Sequence, residues 1–565
     1  VPSIPNVDGS ISPKAEEILR LHSNLAARRG IWEGHWREVA ERVRPNQNIF
    51  QQQRPDGDKR NERIFDATAP LALPKFAAAV ISMAFPATQT YHKLAPHDMR
   101  LADNTSVKRY LEQVNDILFK VRYGPHSNFQ AQSGEVVLDI GAFGTGVLYV
   151  DDVLGIGVRY KSFPLAECWI AEDAHGRIDT LIRKFEYTAH QAITEWGYDA
   201  CPKEVQEAFD QQWQTKFEFM HCVRPNKNRL MGRHDSSGMA FESTYLCVRT
   251  RKTISEGGYR VFPFMVPRFE TAPREVYGRS PAMAVLPDIK MLNEMAKTII
   301  RAAQNVVAPP IMLTDDASLT AFNVRSNAMN YGYIDSNGHP MAVPFESKAN
   351  VNIGLDMMNQ RREVINDAFF VTLFRILVQE PTITATEAML RAQEKGQLLA
   401  PTMGRIQAEL LGPLVEREID ILSMAGALPP MPPELIRAGG SFKIEYQSPL
   451  NQAQRAGVGV AIMQTIQSIA PLAQVDPDVM QIFDLDKAAR MVADINGMPA
   501  SLQRTAEEVA ALKEKTAQAA QAQQLLAAAP VAASAAKDFA QAQALAGSSP
   551  NSVAPNLGLP TGAPA

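Results

Sequence analysis

Apolar residues recur at helical intervals over most of the chain. Ile18, Leu21, Leu25, Trp32, Trp36, Val39 and Val43 fall at threes, fours and a seven, which makes one stripe on one helix. Ser12-Pro13 offers a hydroxyl cap and then a residue that needs no N–H partner; Gly30 and Gly34 weaken the middle, and Pro45 closes the stretch. After the polar loop QQQRPDGDKRNER a second helix is predicted over 71–85, stopped by Pro86. A third carries Val107, Leu111, Val114, Leu118 and Val121 between charges, and a fourth covers about 128–141.

From Gly144 the period shortens to two. Val147-Leu148-Tyr149-Val150, a turn over 151–155 and residues 156–163 predict one hairpin; Trp169-Ile170, the turn 173–176 and residues 178–187 predict another. Two short helices, about 190–196 and 203–213, precede a strand-rich stretch over 217–269 whose clearest turn signal is Gly257-Gly258. Ser280-Pro281 then opens a long helix with Leu286, Ile289, Leu292, Met295, Ile299 and Ala303 on one side, ending before Pro309-Pro310. A short β-like stretch spans 311–343 and a further helix spans about 352–377. The capping box Thr384-x-x-Glu387 opens a helix that runs past Pro401 to about Met424 and should bend near 397–402. Pro429, Pro430, Pro432 and Pro433 mark a linker, helices occupy about 452–495, and Thr505-x-x-Glu508 caps a last Ala- and Gln-rich helix. The seam of that helix is too weak to hold a coiled coil by itself.

Composition narrows the class. At roughly 150 residues per folding unit, 565 residues make three or four units. Lys+Arg 57 against Asp+Glu 61 leaves a net charge of −4, which excludes a chain built as a whole to cling to nucleic acid or an anionic membrane. Cys168, Cys201, Cys222 and Cys247 form neither a disulfide framework nor a metal knuckle and fit a reducing compartment. The longest apolar run, 76–85, is far short of the ~20 residues that span a bilayer, and VPSIPNVDGS lacks a signal-peptide pattern. The expectation is a soluble, cytosolic, multi-domain protein.

Candidate chemistry is sparse. Val137-Leu138-Asp139-Ile140-Gly141-Ala142-Phe143-Gly144-Thr145-Gly146 looks like the first loop of an S-adenosylmethionine methyltransferase. Phe143 lengthens that glycine loop, however, and a strand follows where a helix should open. The competing reading is a helix stopped at Gly144 that leads into a hairpin. No G-K-[ST] string and no H-E-x-x-H string occurs, so a P-loop and a zincin site have no sequence support. Arg224, Lys227, Arg229, Arg233, Arg249, Arg251 and Lys252 concentrate in the strand-rich stretch, as a phosphate- or partner-facing surface or as a solvated hairpin face.

Several separated strings, in their order, resemble the head-to-tail connector, or portal, proteins of short-tailed, podovirus-type bacteriophages. They are Phe85-Pro86 through Gln89-Thr90, Gly144 to Val150, Val276-Tyr277-Gly278-Arg279-Ser280, Thr384 to Glu394 and the Ala/Gln-rich C-terminus, and the likeness spans about residues 10–530. The resemblance implies an α+β, mainly α, elongated protomer that assembles as a ring of about twelve copies, a homododecamer, around a DNA channel at one capsid vertex. It implies a wing over 1–187, first stem helices over 188–214, a clip over 215–275 and a second stem helix over 276–308. The wing would continue over 309–428, with a tunnel loop at about 377–384 and a long kinked helix. A crown over 429–500, a barrel helix over 501–547 and a flexible tail over 548–565 would complete it.

The same resemblance implies no catalytic centre and no cofactor, since ATP hydrolysis belongs to a separate motor. Gln379, Glu380, Pro381 and Thr382 would line the channel, and the seven basic residues would face a partner. Partners would be further copies of the chain, double-stranded DNA, the terminase motor, tail adaptors, and the major capsid and scaffold proteins, with no membrane. The location would be the virion, after assembly in the host cytoplasm. A methyltransferase, or another virion scaffold or adaptor protein, is the alternative.

Overall fold

Ser12 is extended and Pro13 occupies the first turn, so α1 (Pro13–Val43) starts where the sequence predicts, but the Ser12 hydroxyl makes no cap and instead accepts a hydrogen bond from Thr253 Oγ1 at 3.0 Å. The computed structural model describes residues 12–372 apart from short internal stretches, 401–446, and helical stretches between 458 and 519. Helices α2 (Thr68–Ala84), α3 (Thr105–Arg122) and α4 (Phe129–Phe143) follow, with strand β1 (His92–Pro96) before α3. Asn104 caps α3 by accepting from the Ser106 and Val107 amides. The four predicted helices face one another: Trp36, Phe76, Leu118 and Ile140 are fully buried in a common core. Gly141 permits this, because a Cβ there would lie 2.6 Å from Leu73 Cδ1.

Helix α4 ends on Gly144, which is left-handed at φ 79°, and the chain turns directly into β2 (Leu148–Val153). With β3 (Gly157–Ser162) it forms the first predicted hairpin. The second joins β4 (Cys168–Glu172) and β5 (Ile178–Thr188) and leads into α5 (Ala189–Trp196) and α6 (Lys203–Gln212). Strands β6 (Lys216–Pro225), β7 (Phe241–Cys247) and β8 (Lys252–Tyr259) complete an antiparallel sheet in the order β4-β5-β6-β7-β8, while β9 (Phe264–Met265) returns to β2. Alternation gives this sheet two apolar faces. Phe185, Phe217 and Phe219 pack against α5 and α6, and Ile182, Met220 and Cys222 pack against the start of α1.

One expectation is corrected by the strand pairing. Gly257 and Gly258 are not a turn; they lie within β8, paired with Ser243 and Glu242, and the chain reverses at 248–251. Gly258 is required by a close approach, since a Cβ there would meet the Phe241 carbonyl oxygen at 2.9 Å. Over 188–214, where the first stem helices are expected, α5 and α6 are fastened to the sheet by their own apolar cluster.

The long helix expected from Ser280 is broken at Val285 into α7 (Pro281–Ala284) and α8 (Leu286–Val307). Pro287 lacks the N–H that would continue the first segment. A small hairpin of β10 (Ile311–Leu313) and β11 (Ala342–Pro344) follows, and α9 (Val351–Ala368) returns along α8. The pair is antiparallel: Gly354 admits Ile299, and Arg361 binds Asp288 at 2.8 Å.

Residues 373–400, which hold the predicted capping box, part of the predicted bend and Gln379 to Thr382, lie outside the described residues. From 401 the chain is helical, widens into a π turn at Gln407–Leu411 and continues as α10 (Gly412–Met424). Beyond the proline linker, α11 (Pro433–Arg437) buries Leu435 in the main core, and β12 (Phe442–Tyr446) pairs with β1. The start of the expected crown therefore includes a segment fastened to the N-terminal helices.

Candidate partner-facing surfaces and buried junctions

The seven basic residues do not form one patch. Pro225 pairs with Phe241, so the 226–240 loop lies at one end of β6 and β7, and the 248–251 turn lies at the other. Arg224, Lys227, Arg229 and Arg233 are therefore about six or seven strand residues, some 20 Å, from Arg249, Arg251 and Lys252. Most of them are also engaged within the chain. Arg224 is buried and binds Glu242 and, at 2.7 and 3.0 Å, both carboxylate oxygens of Glu17. Burial opposes its charge, but those two carboxylates hold its pKa above the ordinary arginine value. Arg229 donates to the Gly238 carbonyl, Arg233 sits 3.7 Å from Asp235, and Arg249 pairs with Glu204 at 3.0 Å. Arg251 adopts a left-handed turn conformation at φ 54°, and Lys252 opens β8. Exposed apolar side chains accompany the first group: Leu230 and Met231 lie at the tip of its loop.

The glycine motif resolves as a structural junction. Asp139 is on a helix, not at a strand end, and its buried carboxylate binds Arg44. Burial raises its pKa to about 7 against the pull of Arg44. A Cβ on Gly144 would lie 2.2 Å from the Gly278 oxygen, and one on Gly278 would lie 2.2 Å from the Gly144 oxygen. Around that crossing, the Gly278 amide donates to Thr145 Oγ1 at 2.8 Å and Ser280 Oγ donates to the Ala142 carbonyl at 2.8 Å. Two of the strings that carry the resemblance are thus one place in space. The polarity, helix into strand, is opposite to a cofactor loop, and the methyltransferase reading falls with it.

A second junction was not anticipated. Arg122, on α3, is fully buried and binds Glu418 of α10 through Nε at 3.0 Å and Nη2 at 2.5 Å. Tyr160 also donates to Glu418, and Arg122 donates to Tyr91 Oη at 2.5 Å. The available signal was a charge on an apolar stripe: Arg122 continues Leu111, Val114 and Leu118, and Glu418 continues Leu411, Leu414 and Val415. Nearby, Arg268 is buried with Glu409 at 2.8 Å and Glu172 at 3.2 Å. The first junction ties α10, and the second the π turn that precedes it, to earlier elements.

These groups are fixed rather than reactive. Burial pushes the thiols of Cys168 and Cys222 up to about 12 and that of Cys201 up to about 11, so they stay protonated. Burial likewise lowers His221 to about 3, and His221 stacks on Tyr245 with ring centroids 3.9 Å apart. Among the described residues no group of three or more metal-ligating side chains converges, and no helix is long and apolar enough to cross a membrane.

Comparison with known proteins gives a consistent result. Residues 15–503 match the family described as bacteriophage head to tail connecting protein. The chain is 29% identical over 516 residues to a probable portal protein of Bordetella phage BPP-1, covering 90% of this chain and 92% of the relative. It is 28% identical over 556 residues to the portal protein of Salmonella phage epsilon15, covering 96% and 99%. It is also similar to a chain in the neck of a native gene transfer agent particle, at 12% identity, 75% and 94% coverage and a TM-score of 0.35, too loose a match to support an argument.

Proposed function

We propose, on the premise that the chain belongs to the bacteriophage head to tail connecting protein family, that it is a portal subunit whose copies close into a ring at one capsid vertex. The observation that carries this reading is the span of the match, which leaves almost none of the epsilon15 portal protein uncovered. The role is structural, within the virion, and no enzymatic step is assigned to the chain. Double-stranded DNA would pass through the ring during packaging and ejection. The terminase motor and the tail adaptors would dock on its outer end, and the capsid and scaffold proteins would grip its rim.

The internal packing supports a revised division of labour. The antiparallel pair α8 and α9, with the β10–β11 hairpin between them, is the candidate stem and clip. The five-stranded sheet with α5 and α6 then belongs to the wing, because it is fastened to α1. The segment after α9, including Gln379 to Thr382, remains the candidate tunnel loop, and the crown would begin after Tyr446. The basic residues of 224–233 and 249–252 become separate wing surfaces.

The test is the place of the protein in particles. Antibody or tag labelling of assembled virions should mark one vertex per capsid. Uniform labelling of the shell, or label confined to free tails, would contradict the reading.

A further inference from the structure

The α8–α9 pair carries more apolar surface than the other described residues cover. On α8, the body buries Leu286, Ile289, Leu292 and Ala296, yet the apolar stripe continues to the end of the helix through Ile300 and Val307, the latter 86% exposed. On α9, Met358 and Ile365 face inward, while Ile353, Met357 and Val364 recur at four and seven as a second, outward stripe, with Ile353 59% exposed. Contacts fix how the pair is turned. Asn293 and Arg362 hold the 63–66 segment on the body side, with Arg362 on Asp66 at 2.8 Å and Asn293 Nδ2 on the Arg63 carbonyl at 3.1 Å. The surplus α8 stripe lies on that side, and the α9 stripe lies on the opposite side.

The outer edges of the pair differ in charge. Lys290, Lys297 and Arg301 line the edge of α8 turned from α9, at steps of seven and four, with Glu294 among them. Asp356, Glu363 and Asp367 line the far edge of α9 at the same steps. Within the chain Lys290 pairs with Glu38, and Lys297 lies 3.7 Å from Glu294, so the α8 edge keeps a positive surplus. The three acids have no ion-pair partner among the described residues; Arg361 and Arg362 of the same helix are committed to Asp288 and Asp66. The antiparallel register that places Ile299 on Gly354 sets Lys297 near the level of Asp356 and Lys290 near that of Glu363.

We infer that the occupant of this surface is the same arm of a neighbouring copy, the basic edge of α8 in one copy facing the acidic edge of α9 in the next. Opposite edges of opposite sign, flanked by apolar stripes on opposite sides, make a heterologous contact that repeats around a ring and disfavours a two-fold pair, in which like edges would meet. This inference rests on the ring reading above and adds the surface that closes it.

The test uses the full-length chain and two charge-reversal variants. The first is Lys297→Glu with Arg301→Glu; the second is Asp356→Lys with Glu363→Lys. Each alone presents like charge on both edges and should lose the ring, remaining monomeric by native mass measurement with an unfolding transition like that of the parent. A one-to-one mixture should recover rings in which the variants alternate, resolved by a mass tag on one of them. A chain carrying all four changes should also close. Rings formed by both single-edge variants on their own, or a well-folded mixture and a four-change chain that both stay monomeric, would overturn the inference. A parent chain that never closes would instead overturn the ring reading. Arg301→Glu alone, on an exposed side chain, repeats the test if a pair perturbs folding, and should weaken ring formation in the same direction.

Discussion

Arg122 and Glu418, 296 positions apart in the chain, meet side chain to side chain with almost no exposure, the guanidinium bound through Nε and Nη2 to the two carboxylate oxygens. Tyr160, Tyr91 and His92 close the remaining directions around them. The pair fastens the end of the long second-half helix to the first-half core, so it bears on cohesion rather than on chemistry.

Removing one member leaves a buried charge without its partner. Glu418→Ala should cost about 3–5 kcal/mol, whereas Arg122→Met combined with Glu418→Leu should recover most of that loss. Chemical denaturation of the two variants and the parent measures both. Equal losses in the single and double variants would show that packing, not charge, dominates the junction.

Neighbouring glycines should behave differently. Gly257→Ala meets nothing within 4 Å and should be neutral or stabilising by about 0.5 kcal/mol, while Gly258→Ala drives a Cβ into the Phe241 carbonyl and should cost more than about 1 kcal/mol. Gly278→Ala, with a backbone oxygen of Gly144 at 2.2 Å, should prevent soluble expression. Thermal melts and soluble yield distinguish the three.

Acid should destabilise the protein through its buried histidines. Burial lowers His22 to about 4, His92 to about 2 and His221 to about 3, so the folded chain keeps them neutral while the unfolded chain protonates them near 6.5. Below 6.5 the unfolded state binds more protons, and the stability these groups contribute is complete above that pH and lost as pH falls toward their folded values. Asp139, raised to about 7, works in the opposite direction. The contribution of His221 is isolated by His221→Gln, which should lose about 2 kcal/mol less than the parent between pH 7 and pH 5 in urea unfolding. Parallel curves would show that His221 already takes its proton in the folded state.

The segment proposed as the tunnel loop gives a test in assembled particles. Gln379→Lys with Glu380→Lys should slow packaging or ejection, because fixed cations in the lumen would bind passing phosphates. Unchanged DNA filling kinetics would place these residues away from the channel.

Local elements were legible in the sequence because their causes are local. Pro13 and Pro45 bracket α1, the 3.6-residue stripe marks α3, and the strand alternation from Val147 marks the first hairpin. Gly257-Gly258 misled because glycine serves equally for turns and for close backbone approach, and only the pairing with β7 separates the two. The partner of α8 was illegible for a different reason. An apolar stripe states that something covers it but not what, and α5, α6 and α9 are all amphipathic candidates. The basic cluster misled through sequence proximity, since seven strand residues carry Arg249 to the far end of the sheet from Arg224. Arg122 and Glu418 were visible only as charges out of place.

The most direct measurement is the native mass and projected shape of the purified full-length protein. A portal ring should weigh about twelve copies of the 62.2 kDa chain and be annular in negative-stain images, with a bore that admits a DNA duplex. A stable monomer that fails to form an annulus at any concentration or with scaffold present would contradict the ring reading.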